Sequence, residues 1–493
     1  MDDATRTGRR AYERGAWADA YDALTRASAA GALEVDDVER LAWAAVLSGN
    51  EEASLQALER LHDARLASGE VLRAARAAIW LALRAMPLGE RARASAWIAT
   101  AQRLVDREPA PCAERGYLLV PQVFRLGATG EHDAARVLAA EAAEIGDRHG
   151  DADLGALARN LEGRALVRLG RLSEGLPLLD EAMLAVTRGG LSPVVSGLVY
   201  CSVIAGCQQS YALDRAREWT AALREWCRAQ PQLVPFTGAC LVHRSEIFQL
   251  GDAWTEALDE AREASSRLAG TRDFAAGNAF YQEGELHRLR GALDEAERAY
   301  AQASERGRDP QPGLALLRLA QGRVELAAAA TRRALAATRD PLPRSRLLPA
   351  HVEIMLAASD LDEARAATHE LVALADRLGM DLLRAMAAQA TGALALAEGA
   401  ARSAIEPLRR AQEAWHLAGA PYLGARVRVL LGRAYRALGD EDGATLELDA
   451  ARRLFVEVGA ALDLRAIDVP AAPPPAPIAM VNAFNRISIA FDA

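Results

Sequence analysis

Small and large apolar positions alternate along this chain at helical, not strand, spacing. In "LLGRAYRALGDEDGATLELDAARRLF", Gly432 and Tyr435 fall on one face of a helix, Gly439 marks a turn, and Ala444, Leu448 and Ala451 share a face of a second helix. The pattern predicts a helical hairpin whose axes approach closely at Gly432 and Ala444, with Tyr435 and Leu448 filling the space beside them. Glu447 is expected on the outer face of that hairpin. The same order passes through Gly163, Leu166, Gly170, Gly175, Leu179 and Ala182, and through Gly284, His287, Gly291, Ala296, Tyr300 and Ala303. It returns at Gly392, Gly399, Ala404, Leu408 and Ala411, where Ala395 takes the large position.

Turns at Gly15, Gly49, Gly89, Gly130, Gly170, about Ser210, Gly251, Gly291, Gly322, about Asp360, Gly399 and Gly439 predict about twelve hairpins. The fold class is therefore all-α, a solenoid of helical hairpins. Prolines in "GRDPQPG" and "TRDPLPRSRLLP" bracket a short step and interrupt the array. The expected organisation is an N-terminal array over 1–305, an irregular joint with a short hairpin over 306–345, a C-terminal array over 346–468, and a Pro-rich linker with a short tail over 469–493.

Composition narrows the chemistry. All 58 basic residues among the 493 are arginine, which removes a Walker A lysine, a Schiff-base lysine and a lysine general base. A net charge of -9 with interleaved signs argues against a nucleic-acid footprint. No apolar run is long enough to span a membrane, the amino terminus lacks the pattern of a secretory signal, and five cysteines without CxxC spacing read as reduced thiols, so a cytoplasmic protein is expected. Asp440 to Gly443 reads as a turn rather than a calcium loop, Ser192 as a loop or cap residue, and no histidine pair has metal-ligand spacing. Neither metal, cofactor nor enzymatic activity is expected.

One stretch departs from the Ala/Leu/Arg background. Tyr200, Gln208, Glu246, Gln249, Tyr281, Glu285 and Arg288 bring polar and aromatic character to successive first helices. They are the candidate groove, with Glu246 and Glu285 side by side as the recognition pair for a basic or amphipathic peptide or a cationic small molecule. Trp219 and Trp226 are expected as packing anchors.

The order of small, aromatic, turn and alanine positions resembles the tetratricopeptide repeat, from about Thr5 to Ala461, with a step nearer 40 residues than 34. The resemblance implies a right-handed superhelix with first helices on its concave side. Runs such as "ARAAIWLALRAMPLGERARASAWIATAQRLV" and "PGLALLRLAQGRVELAAAATRRALA" resemble the repeat arm of actinobacterial LuxR-type transcriptional regulators. That likeness implies a sensory and oligomerising arm, with a protein or peptide partner, a small-molecule inducer or a second copy of the chain as its contacts. The family's C-terminal helix-turn-helix has no counterpart after "VPAAPPPAP", where "IAMVNAFNRISIAFDA" is too short for one, so no direct DNA binding is expected. A free-standing scaffold that holds a peptide in its groove is the alternative.

Overall fold

The computed structural model describes residues 3–31, 33–269 and 274–467; the expected linker and tail over 469–493 lie outside the described residues. Among the described residues there are twenty-five helices and no strand. The first twenty-four pair into twelve antiparallel hairpins, and Ala461–Ile467 follows the last.

One steric rule generates the hairpins. A small residue on the first helix receives a large side chain sixteen positions later on the second. A Cβ at Gly8 would lie 2.6 Å from Leu24 Cγ, at Gly163 2.8 Å from Leu179, at Gly284 2.6 Å from Tyr300, at Gly392 2.5 Å from Leu408, and at Gly432 2.6 Å from Leu448. Those distances are below any real Cβ contact, so glycine is what lets the axes meet. The alanines three positions beyond the large residue, Ala27, Ala182, Ala303, Ala411 and Ala451, are buried.

Nine of the twelve turns place glycine in the left-handed region where the sequence expected it. Three do so with another residue: Tyr211 (φ 57°), Asp252 (φ 65°) and Ser359 (φ 58°). Gly251 itself has φ −89° and continues the helix end, so the left-handed residue of that turn is Asp252, one position later. Glu447 also differs from expectation. Its side chain is only 16% exposed and accepts from Arg428 at 2.6 Å, whereas Leu446 beside it points outward at 67% exposure.

Successive coils of the superhelix touch. Gln232 Oε1 accepts from the backbone N–H groups of Ala18 and Asp19 at 2.9 and 3.2 Å, and the Val234 N–H donates to the Leu47 carbonyl at 3.0 Å. Asp340 receives His132 at 3.3 Å and Arg168 at 3.0 Å, and Arg217 donates to the Ala418 carbonyl at 2.8 Å. The Trp254 and Tyr422 rings meet edge to face at 4.9 Å. The hydrogen-bonded pairs among these lie 172 to 214 residues apart, which is about five hairpins at the 40-residue step of this repeat. In each, the turn side of one coil meets the connecting side of the next, and the helices surround an open central space. One hydrophobic cluster joins the two coils: it extends from Trp17 to Cys240 and takes in Leu335, Leu342, Leu371 and Ala390, while Ala315 and Ala327 of the short hairpin pack in a cluster with Ile354 and Ala364.

Candidate functional site

The middle of the superhelix holds an open-ended lumen of about 1480 Å³. Its walls are the first helices of the last seven hairpins: Pro193–Gln209, Pro235–Leu250, Phe274–Leu289, Gly313–Ala320, Pro341–Ala357, Asp381–Ala397 and Pro421–Ala437. A first helix buries its small-residue face against its own second helix. Its opposite face therefore turns inward, and polar side chains there meet one another across the bore.

Six of the seven candidate residues line this lumen. Tyr200 does not. It is 3% exposed, its ring sits 5.6 Å from Trp226, and burial pushes its hydroxyl up to about 12. It lies on the packed side of its helix, where Trp226 also stacks on Phe236 at 6.1 Å. Trp219 donates to Asp180 at 3.2 Å.

Gln208 is 9% exposed, and His243 Nδ1 donates to its Oε1 at 2.8 Å. Burial, with Arg164 nearby, pushes His243 down to about 4, so the ring is neutral at physiological pH. The other end of the Gln208 amide, Nε2, is buried without a partner. Gln249 accepts from Gln282 Nε2 at 2.5 Å.

Glu285 is fully engaged. Tyr300 donates to its Oε1 at 2.5 Å and Arg288 to its Oε2 at 2.8 Å, and the side chains of both Glu285 and Arg288 are 14% exposed. A Cβ on Gly313 would lie 2.0 Å from Glu285 Oε1, so the glycine makes room for this clasp. Tyr281 stacks against Tyr300 at 5.8 Å. Glu246, by contrast, is half-buried and carries no hydrogen bond or ion pair among the described residues. Burial raises its carboxyl above the ordinary range, against the pull of Arg346 and then Arg308. The expected pair of free carboxylates is thus one free carboxylate and one that is already neutralised.

The two arginines that face Glu246 were not among the residues singled out from the sequence. Arg308 lies 4.5 Å over the Tyr281 ring, and Arg346 lies 5.9 Å over Tyr211. Both come from the Pro-bearing stretches that read as connections. Other lumen charges are matched: Arg426 with Glu353 at 2.7 Å, and Arg168 with Asp340 at 3.0 Å. Asp252 is buried at the amino-terminal end of the helix Pro421–Ala437. Neither of its oxygens makes a well-formed hydrogen bond, and burial pushes its carboxyl up to about 6 despite the Tyr422 backbone N–H.

Elsewhere, Asp440 caps its helix by accepting from the Gly443 N–H at 2.9 Å, and Ser192 accepts from Val195 at 3.4 Å as an N-cap. No helix among the described residues is long and apolar enough to cross a membrane, and no cluster of three or more His, Cys, Asp or Glu is arranged to hold a metal ion there.

The sequence matches no protein-family model and no curated protein. Among solved structures, the chain is similar to the Cut9–Hcn1 hetero-tetramer of the APC/C, at 13% identity and a TM-score of 0.41 over 94% of this chain and 95% of that one. It is also similar to the human IFIT1 dimer with m7Gppp-AAAA, at 13% identity and a TM-score of 0.45 over 85% of this chain and 90% of that one. These likenesses bear on the fold alone.

Proposed function

We propose that this protein is a non-enzymatic scaffold that holds an extended peptide, or a segment of a protein partner, inside its lumen. One observation carries the reading: a bore of about 1480 Å³ is walled by first helices and leaves buried amide and carboxylate atoms of Gln208, Gln311 and Asp252 without partners. Buried polar atoms in a folded protein are ordinarily satisfied, and an occupant that supplies main-chain donors and acceptors would complete these.

The finer reading, a sensory and oligomerising arm of a LuxR-type transcriptional regulator, is supported by the resemblance of its Ala/Leu/Arg-rich repeats alone. Under it the occupant is a partner domain or an inducer, and DNA is bound by another polypeptide or domain.

A lumen obstruction tests the scaffold. Ala393 lines the bore, and Ala393→Trp should lower the binding of fluorescent degenerate peptides at least about tenfold, as loss of one well-placed contact set does. Val456→Trp, on a residue 63% exposed, should leave binding unchanged. Equal binding by both variants would exclude the lumen as the site.

A further inference from the structure

Most charges in the lumen are already matched within the protein. Glu285 belongs to Arg288 and Tyr300, Glu353 to Arg426, and Asp340 to Arg168. Asp309 accepts from the Gln311 N–H at 3.2 Å, and its carbonyl, not its carboxylate, receives Arg308. Arg433 donates to the Ala466 carbonyl at 3.2 Å. Arg308 and Arg346, neither with a carboxylate within ion-pair distance, face the unpartnered carboxyl of Glu246. Each guanidinium lies against a tyrosine ring; Arg308 donates from Nη1 to the Asp309 carbonyl and keeps its remaining N–H groups, while Arg346 makes no side-chain hydrogen bond among the described residues.

Resting on the scaffold reading above, we propose that the lumen recognises a carboxylate on an acidic polypeptide segment, clasped between Arg308 and Arg346. Three features converge on that chemistry. Two guanidinium groups on either side of one position can each donate to an oxygen of a carboxylate. Around Glu246 two guanidinium groups face one carboxyl, and protonation of Glu246 leaves them without any counter-charge there, so a basic occupant would meet repulsion where the sequence led one to expect attraction. Gln208 Nε2 and Gln311 Oε1, a donor and an acceptor buried without partners, suit the alternating N–H and C=O groups of an extended main chain.

A polyanion fits worse. A nucleic-acid strand needs a track of cations, and here Arg308 and Arg346 share their site with Glu246 while the other lining arginines Arg168, Arg288 and Arg426 are already held by carboxylates.

The test uses the full chain and three fluorescent peptide pools, degenerate except for one central position fixed as Glu, Gln or Arg. Anisotropy should show the Glu pool binding about tenfold more tightly than the Gln pool, the scale of one charge-assisted contact pair, with the Arg pool weakest. The double variant Arg308→Gln/Arg346→Gln should lose that preference while its Gln-pool affinity stays unchanged. Arg308→Lys should restore part of it. Arg346 is exposed and Arg308 half-buried, so both variants should melt like the parent, and melting curves check this.

A pool order led by Arg, or no order at all, overturns the carboxylate proposal. So does the absence of binding by every pool, or binding of a single-stranded RNA oligonucleotide that is lost in the double variant. If peptides bind but Ala393→Trp does not affect them, the scaffold reading itself has failed, and the pool order no longer concerns the lumen.

Discussion

The first and second coils of this superhelix are built from the same repeat and the same arginine-and-glutamate alphabet, yet they treat charge in opposite ways. On the inner side of the first coil, Arg65 is 3% exposed and contacts Asp36, Glu39 and Glu70 at 2.8, 2.5 and 2.8 Å. Arg76 reaches Glu114 and Asp151 at 2.8 and 2.9 Å, and Asp37, fully buried, is held by Arg9 and Arg40. The recess left there is about 450 Å³. In the second coil the bore is about three times larger, and Arg308, Arg346, Glu246 and Asp252, which line it, make no ion pair among the described residues. A repeat that satisfies its own charges has a structural inner face. One that does not has kept them for something else.

The comparison requires that both coils obey one packing rule, and the largest effects test that. Gly163→Leu in the first coil and Ala444→Arg in the second both drive a side chain into a helix interface with no room for it. The first meets Leu179 and the Gly175 carbonyl, and the second buries a charge at a site with 0% exposure. Each should lower unfolding free energy by about 3 kcal/mol or more in urea titration. Leu446→Arg, on the outward face, should be nearly silent. Equal losses for Ala444→Arg and Leu446→Arg would contradict the hairpin geometry.

Next comes the charge contrast itself. Arg65→Met should cost about 2–3 kcal/mol, because three carboxylates would be left facing one another; Asp36 is 66% exposed, which keeps the loss toward the low end. Arg346→Met should cost under about 0.5 kcal/mol, since nothing ionic is broken. If the two cost the same by urea titration, the second coil's arginines are as structural as the first's.

These contrasts also show what the sequence made legible. The hairpins were readable because sterics writes them in small residues at fixed spacing: Gly163, Gly284, Gly392 and Gly432 each announce a large partner sixteen positions on. The lumen was legible as the place where first helices turn polar, from Gln208 to Arg288. Which charges stay free was not. Glu285, paired with Arg288, is also held by the Tyr300 hydroxyl fifteen residues away, a contact that depends on the absence of a side chain at Gly313 in another hairpin. Arg308 and Arg346 sit in stretches whose prolines read as loops, and only the coiling brings them opposite Glu246. Tyr200 looked like Tyr281 in sequence but lies on the opposite side of its helix, against Trp226. Helical period places a residue on a face; the superhelix decides what that face meets.

The seam between coils offers a pH-dependent test. Asp252, at a left-handed turn position of one coil, is buried against the helix start of the next, and its carboxyl is pushed up to about 6 from 3.8. The folded protein therefore holds this proton more tightly than the unfolded chain does. The associated stability is fully present below the ordinary aspartate range and is lost as pH rises through about 6. Asp252→Asn keeps a residue type tolerant of the left-handed region and removes the ionisation. It should stabilise the protein by about 1–2 kcal/mol at pH 8 and by nothing measurable at pH 4, read from urea midpoints. A gain independent of pH would show that the seam does not feel this charge.

The smallest effect concerns Glu246, the carboxyl that faces Arg308 and Arg346 in the second coil. If a carboxylate occupant sits between Arg308 and Arg346, the Glu246 carboxylate competes with it for the same N–H groups and repels it. Glu246→Gln removes both effects with little change in size, so Glu-pool affinity should rise about two- to threefold at pH 8, a gain typical of a partly screened like-charge contact. Because burial holds the Glu246 carboxyl above the usual glutamate range, it takes up its proton before an ordinary occupant carboxylate does as pH falls. Wild-type affinity for the Glu pool should therefore climb toward that of Glu246→Gln on acidification, with Arg308 and Arg346 charged throughout. Glu285→Gln has a different outcome: it leaves Arg288 without its carboxylate and should lower stability without changing the pool order. Weaker Glu-pool binding by Glu246→Gln would mean that Glu246 attracts its occupant, and the lumen's preference would be cationic after all.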